Sequence, residues 1–193
     1  LWKNEDVSGE VIQLSLRLRS PQALAAARPL LKAPSTPLSQ RLDLIKALGE
    51  LADAPSEEIF LALVRNEKME PAIRLAALTG LRRYSGKDIP STLLSLYPRL
   101  QGDLRQVSQS LLASRPAWAH QLLLAVKDGI IDKASISQAN ILLMNHYEDS
   151  EIQNLLTQHL RSSPRSNKHK AERITEIKAL LSAERPIGNP SDG

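Results

Sequence analysis

The sequence feature that most constrains the fold is an internal repeat. Four twelve-residue stretches align without gaps: QRLDLIKALGEL (Gln40–Leu51), IRLAALTGLRRY (Ile73–Tyr84), LRQVSQSLLASR (Leu104–Arg115) and ISQANILLMNHY (Ile136–Tyr147). Their second positions are separated by 33, 31 and 32 residues. A period in this range is typical of helical-repeat arrays, in which each unit buries its apolar face only against its neighbours. The repeat therefore predicts a stacked scaffold.

Each unit reads as a pair of amphipathic helices. Apolar residues recur at three- and four-residue steps, and no stretch shows the sustained alternation of a strand. With 42% hydrophobic but only 3% aromatic residues, the core is expected to be mostly Leu, Ala and Ile. The predicted pairs are Leu38–Leu51 with Ser56–Asn66, Pro71–Tyr84 with Ile89–Leu100, Asp103–Ser114 with Ala117–Lys127, and Ser135–His146 with Ser150–Arg161. We expect an all-α fold in which about five such pairs and a terminal helix form a right-handed α-α superhelix, or solenoid.

The repeats are predicted to fill most of the chain. We assign residues 1–161 to helical repeats, with early helices at Val7–Arg19 and after Pro21, where Pro29 should kink or end the second. Residues 162–184 are expected to form a basic loop and a closing helix, Ala171–Ala183, of the same domain. Residues 185–193 read as an exit linker. Because the chain begins with Leu1 rather than Met, we expect it to be part of a longer protein.

Two sets of residues are predicted to hold the repeats together. Leu78 and Leu81 are expected in the core shared between neighbouring units. The repeated second position carries a basic side chain in three units: Arg41, Arg74 and Arg105. One interpretation is a structural ladder, in which the guanidinium groups bond turn carbonyls or acids such as Asp103. The other is a basic stripe that faces a partner.

The net charge of +4 is concentrated in one segment. Residues 161–173 contain five basic residues against Glu172 alone, which leaves 20 basic and 20 acidic residues in the remainder. The basic residues are Arg161, Arg165, Lys168, Lys170 and Arg173. The segment is interpreted either as a solvated loop or as a contact surface for an acidic partner.

Motifs for chemistry are missing from the sequence. There is no cysteine, which excludes disulfides, thiolate catalysis and covalent haem attachment within this chain. No nucleotide-binding, acyl-transfer or metalloprotease motif is present. The four histidines fall on different predicted elements without carboxylates at ligand spacing, so no metal site is predicted: His120, His146, His159 and His169. No apolar run approaches the roughly 20 residues needed to span a bilayer. Trp118 is expected to anchor a helix junction rather than to stack on a ligand.

The period and the arginine pattern resemble short HEAT repeats, within the armadillo-like class of α-solenoids. From Leu111 to Ile131 the sequence LLASRPAWAHQLLLAVKDGII is similar to a segment of multidomain membrane-bound dehydrogenase proteins that bind haem through C-x-x-C-H. Their closing motif also resembles the terminal GNPSDG. In those proteins a sugar-dehydrogenase-like β-propeller precedes the repeats and a cytochrome c domain follows them.

The resemblance implies a non-catalytic scaffold and interaction module that spaces a propeller from a cytochrome c domain in an exported, periplasmic electron-transfer protein. It implies contact with neighbouring domains, through a concave face, and haem only in an absent downstream domain. No cofactor is expected in this chain. The alternatives are a free protein–protein scaffold, a nucleic-acid-binding solenoid and an enzyme with its site in the concave groove. Six aromatic residues and a neutral repeat region disfavour nucleic acid, and no motif supports the enzyme.

Overall fold

A computed structural model describes residues 20–160 and Thr175. Within these residues the chain is all-helical, with nine α-helices and no strand. The helices are α1 (Pro21–Leu30), α2 (Leu38–Leu51), α3 (Ser56–Arg65), α4 (Pro71–Gly80), α5 (Asp88–Leu96), α6 (Gly102–Ala113), α7 (Pro116–Lys127), α8 (Gln138–Asn145) and α9 (Ser150–Leu155). The predicted helix Val7–Arg19, the closing helix Ala171–Ala183 apart from Thr175, and the linker 185–193 lie outside the described residues.

The helices lie in two rows. The even-numbered helices α2, α4, α6 and α8 contact one another in that order, and α3, α5, α7 and α9 do the same. Contacts between successive helices, such as α3 with α4 and α6 with α7, join the two rows. Each row therefore continues from one repeat to the next. In the part of the chain that the structure describes, no helix is both long and apolar enough to pass through a bilayer.

The core follows the repeat position by position. The ninth position of the aligned stretches is fully buried in all four units, as Leu48, Leu81, Leu112 and Met144. Leu78, at the sixth position of its unit, is also fully buried. The prediction that Leu78 and Leu81 belong to the core is confirmed, and an apolar side chain at position nine contributes to every unit.

Several helix ends differ from the predicted ones. α4 stops at Gly80 and continues as a 3-10 turn, Leu81–Arg83, and α9 stops at Leu155 and continues as a π-helical turn, Leu156–Leu160. The predicted start of a helix at Ser135 is wrong, because a separate 3-10 turn ends there. α8 begins at Gln138, since the hydroxyl of Ser137 accepts a hydrogen bond from the Asn140 N–H and caps the helix.

Helices α2 and α4 approach each other most closely at two glycines. A Cβ atom added to Gly49 would lie 2.9 Å from the Cα atom of Gly80, which is closer than side chains tolerate. A Cβ atom on Gly80 would lie 2.7 Å from the ring of Phe60 on α3. Both positions thus require glycine for helix packing, despite its low helix propensity.

Candidate functional site

Arg41 and Arg74 make the same hydrogen bond in successive repeats. The Nε atom of Arg41 donates to the Leu31 carbonyl and that of Arg74 to the Val64 carbonyl, each over 3.1 Å and ten residues back along the chain. These carbonyls lie at the ends of α1 and α3, where helix carbonyls lack intrahelical partners and a cation is favourable. Each arginine thus links the first turn of an even-numbered helix to the end of the helix before it.

Arg105, the third arginine of this set, has different surroundings. Its guanidinium carbon lies 5.5 Å from the centre of the Tyr97 ring, and its Nε atom is buried without a hydrogen-bond partner among the described residues. The reason is local: α5 is followed by the 3-10 turn Tyr97–Arg99, which places an aromatic ring beside the guanidinium group. A cation–π contact contributes about 0.5–1 kcal/mol at partly exposed sites. No ion pair between Arg105 and Asp103 forms in the described structure.

A second set of hydrogen bonds joins successive even-numbered helices, and the sequence reasoning missed it. The residue at position twelve of each later repeat donates to a backbone carbonyl near the end of the previous even-numbered helix. The bonds are Tyr84 Oη to Leu48 O at 3.1 Å, Arg115 Nη2 to Arg82 O at 3.0 Å, and Tyr147 Oη to Ala113 O at 2.8 Å. Burial raises the pKa of both tyrosines, so their hydroxyls remain donors. The sequence contains a signal for these bonds, because three of the four units carry a long polar side chain at position twelve.

Removal of the Tyr84 hydroxyl is expected to destabilise the protein. Tyr84 Oη also donates to the Asp53 carbonyl at 3.1 Å, and the residue is buried, so Tyr84→Phe leaves two buried carbonyls each with one partner fewer. We expect a loss of about 0.5–1.5 kcal/mol in the free energy of unfolding, measured by urea denaturation. Tyr147→Phe should give a smaller loss because Tyr147 is only half-buried. Two unchanged midpoints would contradict a role for these bonds.

Asp53, in the turn between α2 and α3, is the centre of a polar cluster. It accepts two hydrogen bonds from Arg28 of α1, at 2.6 and 2.8 Å, and one from the Ser56 hydroxyl at 2.5 Å. Burial alone opposes ionisation of this carboxyl, but the bonds from Arg28 and Ser56 outweigh it and hold the pKa of Asp53 below its ordinary value. The cluster ties α1 to the first repeat, so we interpret it as structural.

A second polar cluster lies between α6 and α8. The side-chain amide of Gln109, buried at repeat position six, donates to the Tyr97 hydroxyl at 3.0 Å and to the Ser135 carbonyl at 2.9 Å. Its oxygen accepts from the Ser137 N–H and from the Asn140 side chain. All of the hydrogen-bonding capacity of this buried amide is used, as a buried polar group requires. It joins three segments of the chain without leaving a group for catalysis.

The described histidines do not combine into a metal-binding group. His120 Nε2 lies 3.2 Å from a carboxylate oxygen of Glu151, and the two residues are distant in sequence but close in space. His146 is exposed and His159 half-buried, whereas His169 lies outside the described residues. Within residues 20–160 and Thr175, no group of three His, Cys, Asp or Glu side chains could hold a metal ion.

Trp118 lies at the start of α7 and is 5% exposed. The guanidinium carbon of Arg115 lies 4.6 Å from the centre of its ring system, and Arg115 bonds the Arg82 carbonyl at the same time. Trp118 therefore contacts the residue that connects α6 to α4. These contacts occur at the helix junction.

A groove of about 730 Å³ lies between α2 and α4, and we call it the α2–α4 groove. Its walls and floor are mainly apolar or small, with Leu42 and Gly49 from α2 and Ala72, Leu75, Ala76, Thr79 and Gly80 from α4. Its rim is charged, with Asp43, Lys46 and Glu50 on the α2 side and Arg82 and Arg83 on the α4 side. The volume is within the range of ligand-binding clefts, about 300–1,000 Å³. The sequence reasoning did not identify it, because the groove exists only once two repeats are stacked.

The predicted basic contact residues are not among the described ones. Arg161, Arg165, Lys168, Lys170 and Arg173 all lie between Leu160 and Thr175. Comparison of the chain with models of protein families, with curated proteins and with solved structures found no significant match.

Proposed function

We propose that this chain is a non-catalytic helical-repeat scaffold, a HEAT-like right-handed superhelix that holds the parts of a larger protein at a fixed distance and direction. The observation that carries the proposal is the set of bonds from repeat position twelve. Tyr84, Arg115 and Tyr147 each reach back to the end of the previous even-numbered helix. A spacer needs connections of this kind between units, and a lone catalytic domain does not.

The two sets of bonds act at opposite ends of the even-numbered helices. Arg41 and Arg74 lie in the first turns of α2 and α4, and each binds a carbonyl near the end of the preceding helix. Tyr84 follows α4 and Arg115 follows α6, and each binds a carbonyl near the end of the previous even-numbered helix. α4 has a bond of each kind, to α3 through Arg74 and to α2 through Tyr84, so it cannot tilt without breaking a bond of about 0.5–1.5 kcal/mol. This restraint adds to the apolar packing between the helices and makes the array resist bending.

In the parent protein, we propose, the scaffold separates an upstream dehydrogenase-like propeller from a downstream cytochrome c domain, in an exported electron-transfer protein. The haem belongs to the downstream domain in this proposal. This assignment depends on the resemblance of Leu111–Ile131 and of the terminal GNPSDG to such proteins. The basic residues between Arg161 and Arg173 precede that domain in sequence and are proposed to contact its acidic surface.

The spacing function can be tested by the distance between two spin labels. Because the chain lacks cysteine, Lys46→Cys on α2 and Ala139→Cys on α8 create the only labelling sites, and both positions are exposed. A rigid scaffold gives one narrow distance distribution in pulsed electron-electron double resonance.

The reference is a label pair within one helix, Ala117→Cys with Lys127→Cys on α7. We expect the α2–α8 distribution to be nearly as narrow as that of the reference, and to broaden when Tyr84→Phe and Tyr147→Phe are added. A broad distribution in the unaltered protein would show that the repeats bend freely, and the spacing proposal would then be wrong.

A further inference from the structure

The α2–α4 groove is a feature of one pair of repeats. The groove includes two small residues, Ala76 at repeat position four and Gly80 at position eight. In the next unit the same positions carry the larger residues Val107 and Leu111. The small side chains at these two positions therefore contribute to the depth of the groove.

The rim of the groove has an uneven charge. On α2, Lys46 lies three residues after Asp43 and four before Glu50, so one cation and two carboxylates share this side of the rim. On the α4 side, Arg82 and Arg83 are exposed and make no ion pair with any described residue. The surplus of positive charge lies at the end of the groove where α2 and α4 terminate.

We propose that the α2–α4 groove binds an amphipathic helix of a partner protein, with apolar side chains along the groove and acidic residues at its amino-terminal end, over Arg82 and Arg83. Between Ala72 and Arg83 the groove follows about three turns of helix, roughly 16 Å, which suits a short helical segment. Leu42 and Leu75 contact the apolar stripe of this segment.

The direction of the bound helix follows from its charges. Carboxylates are favourable in the first turn of a helix, where the dipole is positive, so an acidic helix end is most stable as an amino-terminal end. Placing that end over Arg82 and Arg83 makes the partner antiparallel to α2 and α4. Its positive helix end then also faces the negative carboxyl ends of these two helices. This binding is additional to the proposed spacing function and does not depend on it.

The probe for this site is a fluorescein-labelled synthetic peptide of roughly fourteen residues, about 21 Å long as a helix. It has glutamates in its first turn and leucines at helical i, i+3, i+4 spacing. A control peptide of the same composition has the glutamates in its last turn. We expect saturable binding of the first peptide to the full chain by fluorescence anisotropy, and weaker binding of the second.

Two substitutions identify the surface. Arg82→Glu with Arg83→Glu is expected to weaken binding by at least about tenfold, and so is Ala76→Glu, which places a charge in the apolar floor. The matched controls are Lys127→Glu with Lys133→Glu, also basic residues outside the groove, and Ala139→Glu at the same repeat position on α8. These should leave the affinity unchanged. Circular dichroism melting curves establish that each variant is folded.

Three results would overturn the proposal. One is equal affinity for the two peptides, because the position of the glutamates in the peptide would then not matter for binding over Arg82 and Arg83. Another is binding that all the groove variants retain. The third is occupation of the groove by something else, seen as saturable binding of dodecanoate without peptide binding, or as a concentration-dependent dimer in analytical ultracentrifugation that Ala76→Glu abolishes. The spin-label distances are measured without peptide and with labelled chains diluted in unlabelled protein, so the spacing function is tested separately.

Discussion

Replacement of Leu78 by alanine is expected to lower the free energy of unfolding by about 2–5 kcal/mol. Leu78 is fully buried in α4, at the interface that α4 forms with α2, α3 and α6. The substitution removes apolar contact and leaves a cavity that the surrounding helices fill only in part. Urea denaturation followed by circular dichroism measures the loss.

Leu142→Ala is the matched control, because Leu142 on α8 is 54% exposed and the same atoms are removed from a site with less contact. A loss at Leu78 no larger than that at Leu142 would contradict the placement of Leu78 in the shared core. Because each repeat is stabilised by its neighbours, Leu78→Ala should also reduce amide-exchange protection in α2 and α6.

Loss of the Asp53 carboxylate is expected to be the other large effect. Asp53→Ala leaves Arg28 and the Ser56 hydroxyl without their shared acceptor. Removing one partner from a buried ion pair costs about 3–5 kcal/mol, and we expect the lower end because the Arg28 side chain is 25% exposed. The double variant Arg28→Leu/Asp53→Leu, which removes both charges, should be more stable than Asp53→Ala. If Asp53→Ala were the more stable of the two variants, the unpaired charge of Arg28 would not be the cause of the lost stability.

The same carboxylate should make stability depend on pH in the acid range. The folded-state pKa of Asp53 is lowered, so its contribution is fully present above its ordinary pKa of about 3.9 and is lost as the pH falls through the folded value. Asp53→Asn should therefore lose less stability than the unaltered protein between about pH 4 and pH 2. Equal acid sensitivity of the two proteins would contradict the lowered pKa.

The residues that sequence reasoning placed correctly are those whose role follows from periodicity. The all-helical class of the described residues, and the burial of Leu78 and Leu81, depend on apolar spacing along a single chain, which can be read directly. The superhelical arrangement stays a prediction. The start of α8 was missed because the repeat alignment placed Ser137 at the arginine position, whereas a serine there prefers to cap.

What could not be predicted depends on which segments meet. Arg105 occupies the same repeat position as Arg41 and Arg74, but the 3-10 turn before α6 places the Tyr97 ring beside its guanidinium group. The α2–α4 groove and the pairing of His120 with Glu151 also require residues from different repeats to be brought together. The bonds of Tyr84 and Tyr147 could have been predicted, because both residues occupy position twelve of the aligned repeats.

The bonds made from repeat positions two and twelve all point the same way along the chain. In each of these bonds the donor side chain comes later in the sequence than the carbonyl it binds, from Arg41 with Leu31 to Tyr147 with Ala113. During synthesis on the ribosome, the carbonyl is therefore already in a finished helix when its donor emerges. Each of these bonds can therefore form as soon as the later unit emerges, and none of them depends on a segment that has yet to be translated.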